Sequence, residues 1–362
     1  TPIIIMKIKI IDVADPLWLE TLIKLRHDLY HLPEYSLLEA NRIQAVPEAI
    51  IISDHDKIFF SPYLLRSCDI GINGELTIGQ IFDNNSPYRN TRIIQRETHM
   101  KTQHKKNQAI QQLKEVLKSR KICSAFLRLH PILNQKLSDI FTSEICQVNG
   151  NTVSINLNLS EEEIWQQTKP ENRHKINRFK RRGFQAKIVN FKHNIDNFLA
   201  IYAETMDRVG ASKSYYFDDN YFRQLSLLEK LIHLCIVEQD NQIACVGLFT
   251  ECSGIVQYHL GGTKSDFLKE APSKLMFDHV RFWAKEHGNE VLHLGGGVGS
   301  VQDNLYRFKA GFSQQRHPFS TMRLIIDEDN YYHLVNLQAK YLNMHPEQLL
   351  KSEFFPAYRA SH

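Results

Sequence analysis

Between Lys105 and Ser119 apolar residues recur at Ile110, Leu113, Val116 and Leu117 with charged positions between them, which predicts an amphipathic helix. The run Ile122 to Arg128 that follows has the composition of a strand. Earlier in the chain the pattern predicts an opening strand over Thr1 to Ile11, a helix near Pro16 to Tyr30 and a second helical stretch through Leu37 and Ala40. Strands are expected at Ala49 to Ser53, Lys57 to Leu65 and Thr77 to Phe82, with Gly71, Asn73 and Gly74 marking a turn. Strand and helix thus alternate into one mixed α/β unit.

Gly150 and Asn151 lie between two strand-like runs, which predicts a hairpin at the junction of two domains, 1–150 and 151–362. The second half opens with the strand Val153 to Leu159. Ser160 with Glu163 three residues later is a capping box that starts a helix through Trp165. A strand near Phe184 to Asn190 leads to helices at Ile195 to Val209 and Asp218 to Leu228. Three strands follow, Ile232 to Glu238, Gln242 to Thr250 and Gly254 to Leu260, with turns short enough for an antiparallel meander. Pro272 suits the first turn of a helix that Gly288 stops, and Val291 to Leu294 is a strand after it.

With hydrophobic residues at 43% and charged residues at 23%, the chain falls in the soluble globular class, and 362 residues are enough for two cores. A formal charge of +4 is too small to imply an anionic partner without local clustering. Cys68, Cys123, Cys146, Cys235, Cys245 and Cys252 contain no CxxC pair and read as small core residues in a reducing compartment. Lys7 and Lys9 interrupt the opening apolar run, and no later run approaches the roughly 20 residues that span a bilayer. A cytoplasmic protein with at most peripheral membrane contact is expected.

The segments Tyr258-His-Leu-Gly-Gly-Thr263, Ala271-Pro272, Leu294-Gly-Gly-Gly297 and Leu305-Tyr-Arg-Phe-Lys-Ala-Gly-Phe312, with Trp165, Arg173-His-Lys-Ile176 and Gly183 upstream, resemble the FemABX family and its GNAT-like (BioF2-like acetyltransferase) relatives. In the first half, Asp28-Leu-Tyr-His-Leu-Pro-Glu-Tyr35, Ser86-Pro-Tyr88 and Arg128-Leu-His-Pro131 are similar to the same group. The resemblance implies two tandem GNAT-like domains, each a mixed, largely antiparallel sheet flanked by helices. It also implies an acyltransferase reaction in which an acceptor amine attacks an activated carbonyl. In characterised Fem enzymes the donor is an aminoacyl-tRNA and the acceptor a peptidoglycan precursor; more distant relatives belong to polysaccharide and natural-product pathways. No bound cofactor is implied, only a co-substrate: an aminoacyl-tRNA, an acyl-CoA or an acyl carrier thioester.

Lys309, between Phe308 and Phe312, resembles the Fem lysine and is the candidate for stabilising the oxyanion of acyl transfer. Arg173, Lys175, Arg178, Lys180, Arg181 and Arg182 form the densest charge run of the chain, opposed only by Glu171. On a helix, Arg173 and Lys180 share a face while Ile176 and Phe179 dock. Such a face suits phosphates of an acceptor or of tRNA, and it is also what a solvated helix with last-turn cations looks like. Tyr216, Tyr258 and Tyr88 are candidate substrate-binding residues, although Arg89 to Arg92 stand where relatives have glycines after the Pro-Tyr. Acetyl-CoA users carry a Gln/Arg-x-x-Gly-x-Gly/Ala loop; here the matching stretch Lys264 to Ser273 has no glycine, which counts against a close pyrophosphate cradle. Gly295 to Gly297 lack phosphate-loop spacing and serve packing or clearance near Lys309. His27 and His31 lack a third partner, so no metal site is expected, and neither His259, His293 nor Asp303 stands out as a general base.

Three functions remain open at this point: Fem-like amide formation on an amine of a cell-wall precursor or polysaccharide sugar, acyl-CoA-dependent N-acetylation of an amino sugar, and RNA or anion binding on a catalytically retired scaffold.

Overall fold

The computed structural model describes residues 7–54, 57–68, 82–85, 94–95, 103–134, 141–352 and 354–360. Its elements run β1 (Lys7–Asp12), α1 (Leu17–Ile23), α2 (Pro33–Ile43), β2 (Val46–Asp54), β3 (Lys57–Ser67), β4 (Phe82–Asn85), β5 (Ile94–Gln95), α3 (Gln103–Ser119), β6 (Ile122–Arg128) and β7 (Cys146–Asn156). They continue with α4 (Glu161–Gln167), α5 (Pro170–Arg181), β8 (Gln185–Val189), α6 (Ile195–Arg208), α7 (Asp219–Leu225), β9 (Ile232–Gln239), β10 (Gln242–Cys252) and β11 (Ile255–Thr263). Last come α8 (Ser273–Glu286), β12 (Val291–Gly295), α9 (Asn304–Ala310), β13 (Arg316–Ile325), α10 (Glu328–Tyr341) and α11 (Pro346–Lys351).

The chain divides into two compact units, Thr1–Asn149 with Pro318–His362, and Gly150–His317. This differs from the division expected from the sequence, in which everything after residue 150 formed the second domain. The C-terminal segment returns to the first unit because β13 pairs antiparallel with β6, Thr321 opposite Arg128 and Ile325 opposite Ser124. There α10 and α11 form a core with Cys68, Cys123 and Tyr358. Gly150 and Asn151 do not make a hairpin either: β7 runs straight through them. A Cβ at Gly150 would meet Ser300 O at 2.2 Å, so this glycine marks a close backbone approach within a strand.

In the first unit β1, β2, β3 and β4 pair antiparallel in that order, and β4 pairs parallel with β6. Two segments far apart in sequence meet here. His130, beyond β6, has its Nε2 2.8 Å from Asp28 Oδ2, both side chains fully buried. Asp28 Oδ1 accepts from Leu29 N at 2.7 Å, so the carboxylate caps its own turn while anchoring the histidine.

In the second unit the order is β7, β12, β11, β10, β9, β8, antiparallel except for β11 beside β12. The parallel pair requires a crossover, and α8 supplies it. The Ser160 cap forms as expected: its Oγ accepts from Glu163 N at 3.2 Å and Glu163 Oε2 accepts from Ser160 N at 2.8 Å. Asp240 and Asn241 both take positive φ between β9 and β10, the geometry of a tight hairpin. Val153, Ile155, Val256, Leu292 and Leu294 from the sheet pack with Leu275, Met276 and Phe277 of α8 and with Ile176 and Phe179 of α5 in one core.

Candidate active site

The parallel strands β11 and β12 share only three ladder pairs, Ile255 with Val291, Val256 with Leu292 and Gln257 with His293. Beyond them the strands have different partners. β11 continues against β10 to Thr263, with His259 as an extra residue where the register shifts, and Gly295 at the end of β12 is opposite Val153 of β7. An inserted residue bends its strand, and here it falls where the two strands part.

Lys309 of α9 is set at that parting. Its Nζ donates to Gly296 O at 2.7 Å and stands 5.7 Å from the centroid of the Tyr258 ring, so one ammonium touches both arms. The side chain is only 6% exposed, which makes its charge strongly felt by anything beside it. Local chemistry sets the placement. Asp303 caps α9 by accepting from Tyr306 N at 2.8 Å and also accepts from Val298 N at 3.1 Å. Phe308 and Phe312 pack on Phe277 of α8 with ring centroids 5.7 and 5.5 Å away.

The glycines make room for this arrangement. Gly295 has φ +80°, and a Cβ there would lie 3.4 Å from Lys309 Nζ; a Cβ at Gly297 would meet Val301 O at 2.1 Å and the Asp303 carboxylate at 2.4 Å.

Tyr258 therefore joins Lys309, its ring held by Phe249 and Phe277 at 5.4 and 5.0 Å. The helix that carries Arg173, α5, abuts the chain just past Lys309. Lys169 N donates to Gly311 O at 2.8 Å, and a Cβ at Gly311 would lie 2.4 Å from Asn172 Nδ2, the neighbour of Arg173. The half-buried Arg173 and the exposed Arg178 and Arg181 make no side-chain ion pair or hydrogen bond among the described residues.

Lys180 is placed differently. Its Nζ binds Asp278 Oδ2 at 2.8 Å, and Asp278 also binds the fully buried Arg281 at 2.6 Å. Arg281 donates to Thr168 Oγ1 at 2.6 Å and lies over the Trp165 and Phe312 rings. Burial lowers the Arg281 pKa, while Asp278 opposes the shift. Lys180 thus serves a network that fastens α5 and the α4–α5 turn to α8.

Tyr216 is exposed in the segment after α6, its hydroxyl donating to Asp207 at 3.0 Å, and no contact brings it to Lys309. Tyr88 lies outside the described residues.

At the start of α8 the glycine-free loop turns through Ala271 at φ +58°, a conformation that costs a residue with a Cβ roughly 1–2 kcal/mol. The second helical residue, Lys274, is buried and paired with Glu171 at 3.4 Å, and Lys175 reaches the same carboxylate at 3.6 Å. Burial, and then Lys175, hold the Lys274 pKa below its ordinary value despite Glu171.

The fold also assembles a row of polar residues of which the sequence pointed only to His293. Thr250 is opposite Gln257, Gln257 beside His293 and His293 opposite Ser154, so four buried polar side chains line up across β10, β11, β12 and β7. Ser154 Oγ lies 2.6 Å from His317 Nε2 and donates to Gln315 Oε1 at 2.9 Å. The row crosses the sheet at the last ladder pair before the strands part. Its signal is the alternation Val153-Ser154-Ile155, polar on one face and core on the other. Among the described residues no group of three or more His, Cys, Asp and Glu side chains is placed to hold a metal ion.

A mixed sheet whose two parallel strands part beside a bulge, joined by a crossover helix, defines a GNAT acyltransferase fold. Residues 170–310 match the family model described as the acetyltransferase (GNAT) domain. No curated protein matches the chain. Among solved structures, the crystal structure of FemX superposes with a TM-score of 0.66 at 12% identity, covering 89% of this chain and 98% of that one. L-PGS from Bacillus licheniformis gives 0.51 at 12% identity over 92% and 97%. A conserved protein of unknown function from Bacteroides thetaiotaomicron gives 0.52 at 10% identity over 88% and 100%. Residues 170–310 thus contain a GNAT domain, and the chain has a tandem GNAT-like, mixed α/β fold. Among the described residues no helix is long and apolar enough to cross a membrane.

Proposed function

We propose that this protein is a Fem-like acyltransferase that forms an amide on an acceptor amine. The observation that carries this is the buried Lys309 ammonium, held between Tyr258 of β11 and the Gly296 carbonyl just past the end of β12. The acceptor nitrogen attacks the donor carbonyl carbon, the carbonyl oxygen gains negative charge, and the donor's oxygen or sulfur leaves as the amine gives up its proton. Lys309 acts on the oxygen: a fixed cation in a dry site stabilises charge that exists only along the reaction path. Tyr258 and the Gly296 carbonyl orient the ammonium beforehand, so little reorganisation is needed during reaction.

Arg173 is assigned to a phosphate of the acceptor because its guanidinium has no internal partner among the described residues and its helix abuts Gly311. Tyr258 is assigned to substrate contact, with Tyr216 further out; Lys180 contributes by holding α5 in place. For the donor, an aminoacyl-tRNA is favoured over acyl-CoA. The turn before α8 is made without glycine, and the first helical turn presents Lys274 already engaged by Glu171, in place of an open amide cradle. The protein is expected to work in the cytoplasm, where both donors are made.

The test is product analysis. The protein is incubated with charged tRNAs, acyl-CoAs and acyl carrier thioesters, each against amine acceptors with and without a phosphate, and products are read by mass spectrometry. An amide-linked product from charged tRNA supports the proposal. A product from acyl-CoA alone moves the assignment to an N-acetyltransferase, and salt-dependent RNA binding with no transfer from any donor contradicts catalysis altogether.

A further inference from the structure

All six cysteines are buried, and none is in a disulfide. They are not equivalent. Cys235 and Cys245 lie inside the sheet of the second unit, where burial pushes both thiols well up and keeps them protonated and inert. Cys68 and Cys123 belong to the first unit and face each other with their Sγ atoms 3.8 Å apart, although they are 55 positions apart in sequence.

Their surroundings are polar in a way that core packing does not require. Tyr358 Oη lies 3.3 Å from Cys123 Sγ and 3.8 Å from Cys68 Sγ, and 2.7 Å from Ser124 Oγ. These groups sit among Tyr331, Leu334, Val335 and Leu349, so the thiols and two hydroxyls make one polar niche within an apolar cluster. A hydroxyl in hydrogen-bonding reach of both sulfurs can donate to whichever becomes a thiolate. Cys68 also stands just beyond the last β3–β4 ladder pair, Ser67 with Phe82, while Cys123 is held within β6. Among the described residues, one sulfur is therefore on backbone outside the paired strands. The separation must shrink by about 1.8 Å to reach a disulfide bond, within the range of a side-chain rotation and a small shift.

We infer that Cys68 and Cys123 form a thiol–disulfide site that reacts with a low-molecular-weight oxidant, either a disulfide or a hydroperoxide. With oxidised glutathione, the Cys68 thiolate attacks one glutathione sulfur and expels the first glutathione thiolate. The Cys123 thiolate then attacks the Cys68 sulfur and expels the second. Two protein thiols are oxidised, one external disulfide is reduced, and the two protons released by the protein end on the two glutathiones. With hydrogen peroxide, Cys68 is oxidised to the sulfenic acid with loss of water, and Cys123 displaces a second water. The resulting bond joins the end of β3 to β6, two points 55 positions apart in sequence, and such a cross-link restricts the unfolded chain.

The full-length protein is treated with oxidised glutathione or hydrogen peroxide, quenched with acid, denatured, and alkylated with N-ethylmaleimide. Its intact mass and peptide map are then recorded. The site predicts two fewer maleimides than the six of the reduced protein, a peptide joining Cys68 to Cys123, and reversal by dithiothreitol. It also predicts a melting temperature raised by a few degrees in the oxidised form. Six maleimides after oxidation, a glutathione adduct without cross-link, or a bond between any other two cysteines would each overturn it. Reaction with one oxidant and not the other identifies the class of oxidant. Because the reading comes from the unaltered protein, it does not depend on whether a Cys68→Ala variant folds.

Discussion

Arg173 and Gly262 show how single residues divide between substrate and scaffold. Arg173 forms no internal ion pair among the described residues, so Arg173→Ala should leave stability nearly unchanged. It should raise the KM of a phosphate-bearing acceptor by about tenfold or more, the scale of a lost charge-assisted hydrogen bond. Steady-state kinetics with acceptors differing only in the phosphate checks this; an equal effect on both would place the phosphate elsewhere. Gly262 is the opposite case. A Cβ there would meet Thr205 Oγ1 at 2.6 Å and Ile201 O at 2.8 Å, and the carbonyl belongs to the α6 backbone. Gly262→Ala should therefore lift α6 from β11 and cost about 1–3 kcal/mol, read by urea unfolding. Glu251 provides a pH test. Burial raises its pKa, but hydrogen bonds from His233 and Asn289 outweigh that and leave it below the ordinary carboxylate value. A depressed carboxylate contributes stability above its unfolded pKa and loses it as pH falls through the folded one. The acid limb of the melting-temperature profile should accordingly flatten in Glu251→Gln, and an unchanged limb would rule the contribution out. The residues of the site were legible to different degrees for the same physical reason. Lys309 and Tyr258 lie in compact local motifs, whereas Ser154 and His317 are 163 positions apart and meet only through the fold.

At the scale of elements, α5 and α8 are held in one arrangement by charges that the core would otherwise exclude. Asp278 balances both Arg281 and Lys180, and the three differ in burial: Arg281 and Asp278 are enclosed while Lys180 is half in solvent. Asp278→Asn leaves a guanidinium buried without its counter-charge and should cost roughly 3–5 kcal/mol. Arg281→Met leaves Asp278 still paired with Lys180 and should cost less, and Lys180→Met least of all, because an exposed partner is screened. Thermal unfolding of the three variants tests that order; equal losses would mean that packing of α8 and not charge balance dominates. Elements specified by neighbouring residues were readable in the sequence, among them the Ser160 cap and the Asp240-Asn241 hairpin. Gly150 was not, because a glycine that admits another segment's backbone looks, in one dimension, like a glycine that turns.

For the whole molecule, the consequential feature is that residues 318–362 belong with the first unit. Removing them strips β6 of its antiparallel partner β13, and Cys68 and Cys123 of Tyr358 and the α10–α11 core. A chain ending at His317 should show rapid hydrogen exchange in β6 and α3 and retain protection in β9 to β12; the reverse pattern would contradict the assignment of the tail. No local pattern could have shown this return, since β13 reads as a strand wherever it pairs. The same long-range logic underlies the proposed activity: a lysine from α9 becomes a reaction centre only because β11 and β12 stop pairing after Gln257 and His293. The most direct measurement is the single-turnover rate of amide formation by Lys309→Ala, with donor affinity determined in parallel. The account predicts a fall of about 10²–10³-fold in rate at nearly unchanged affinity, the cost of removing one oxyanion-stabilising group. A rate close to that of the unaltered protein would contradict it.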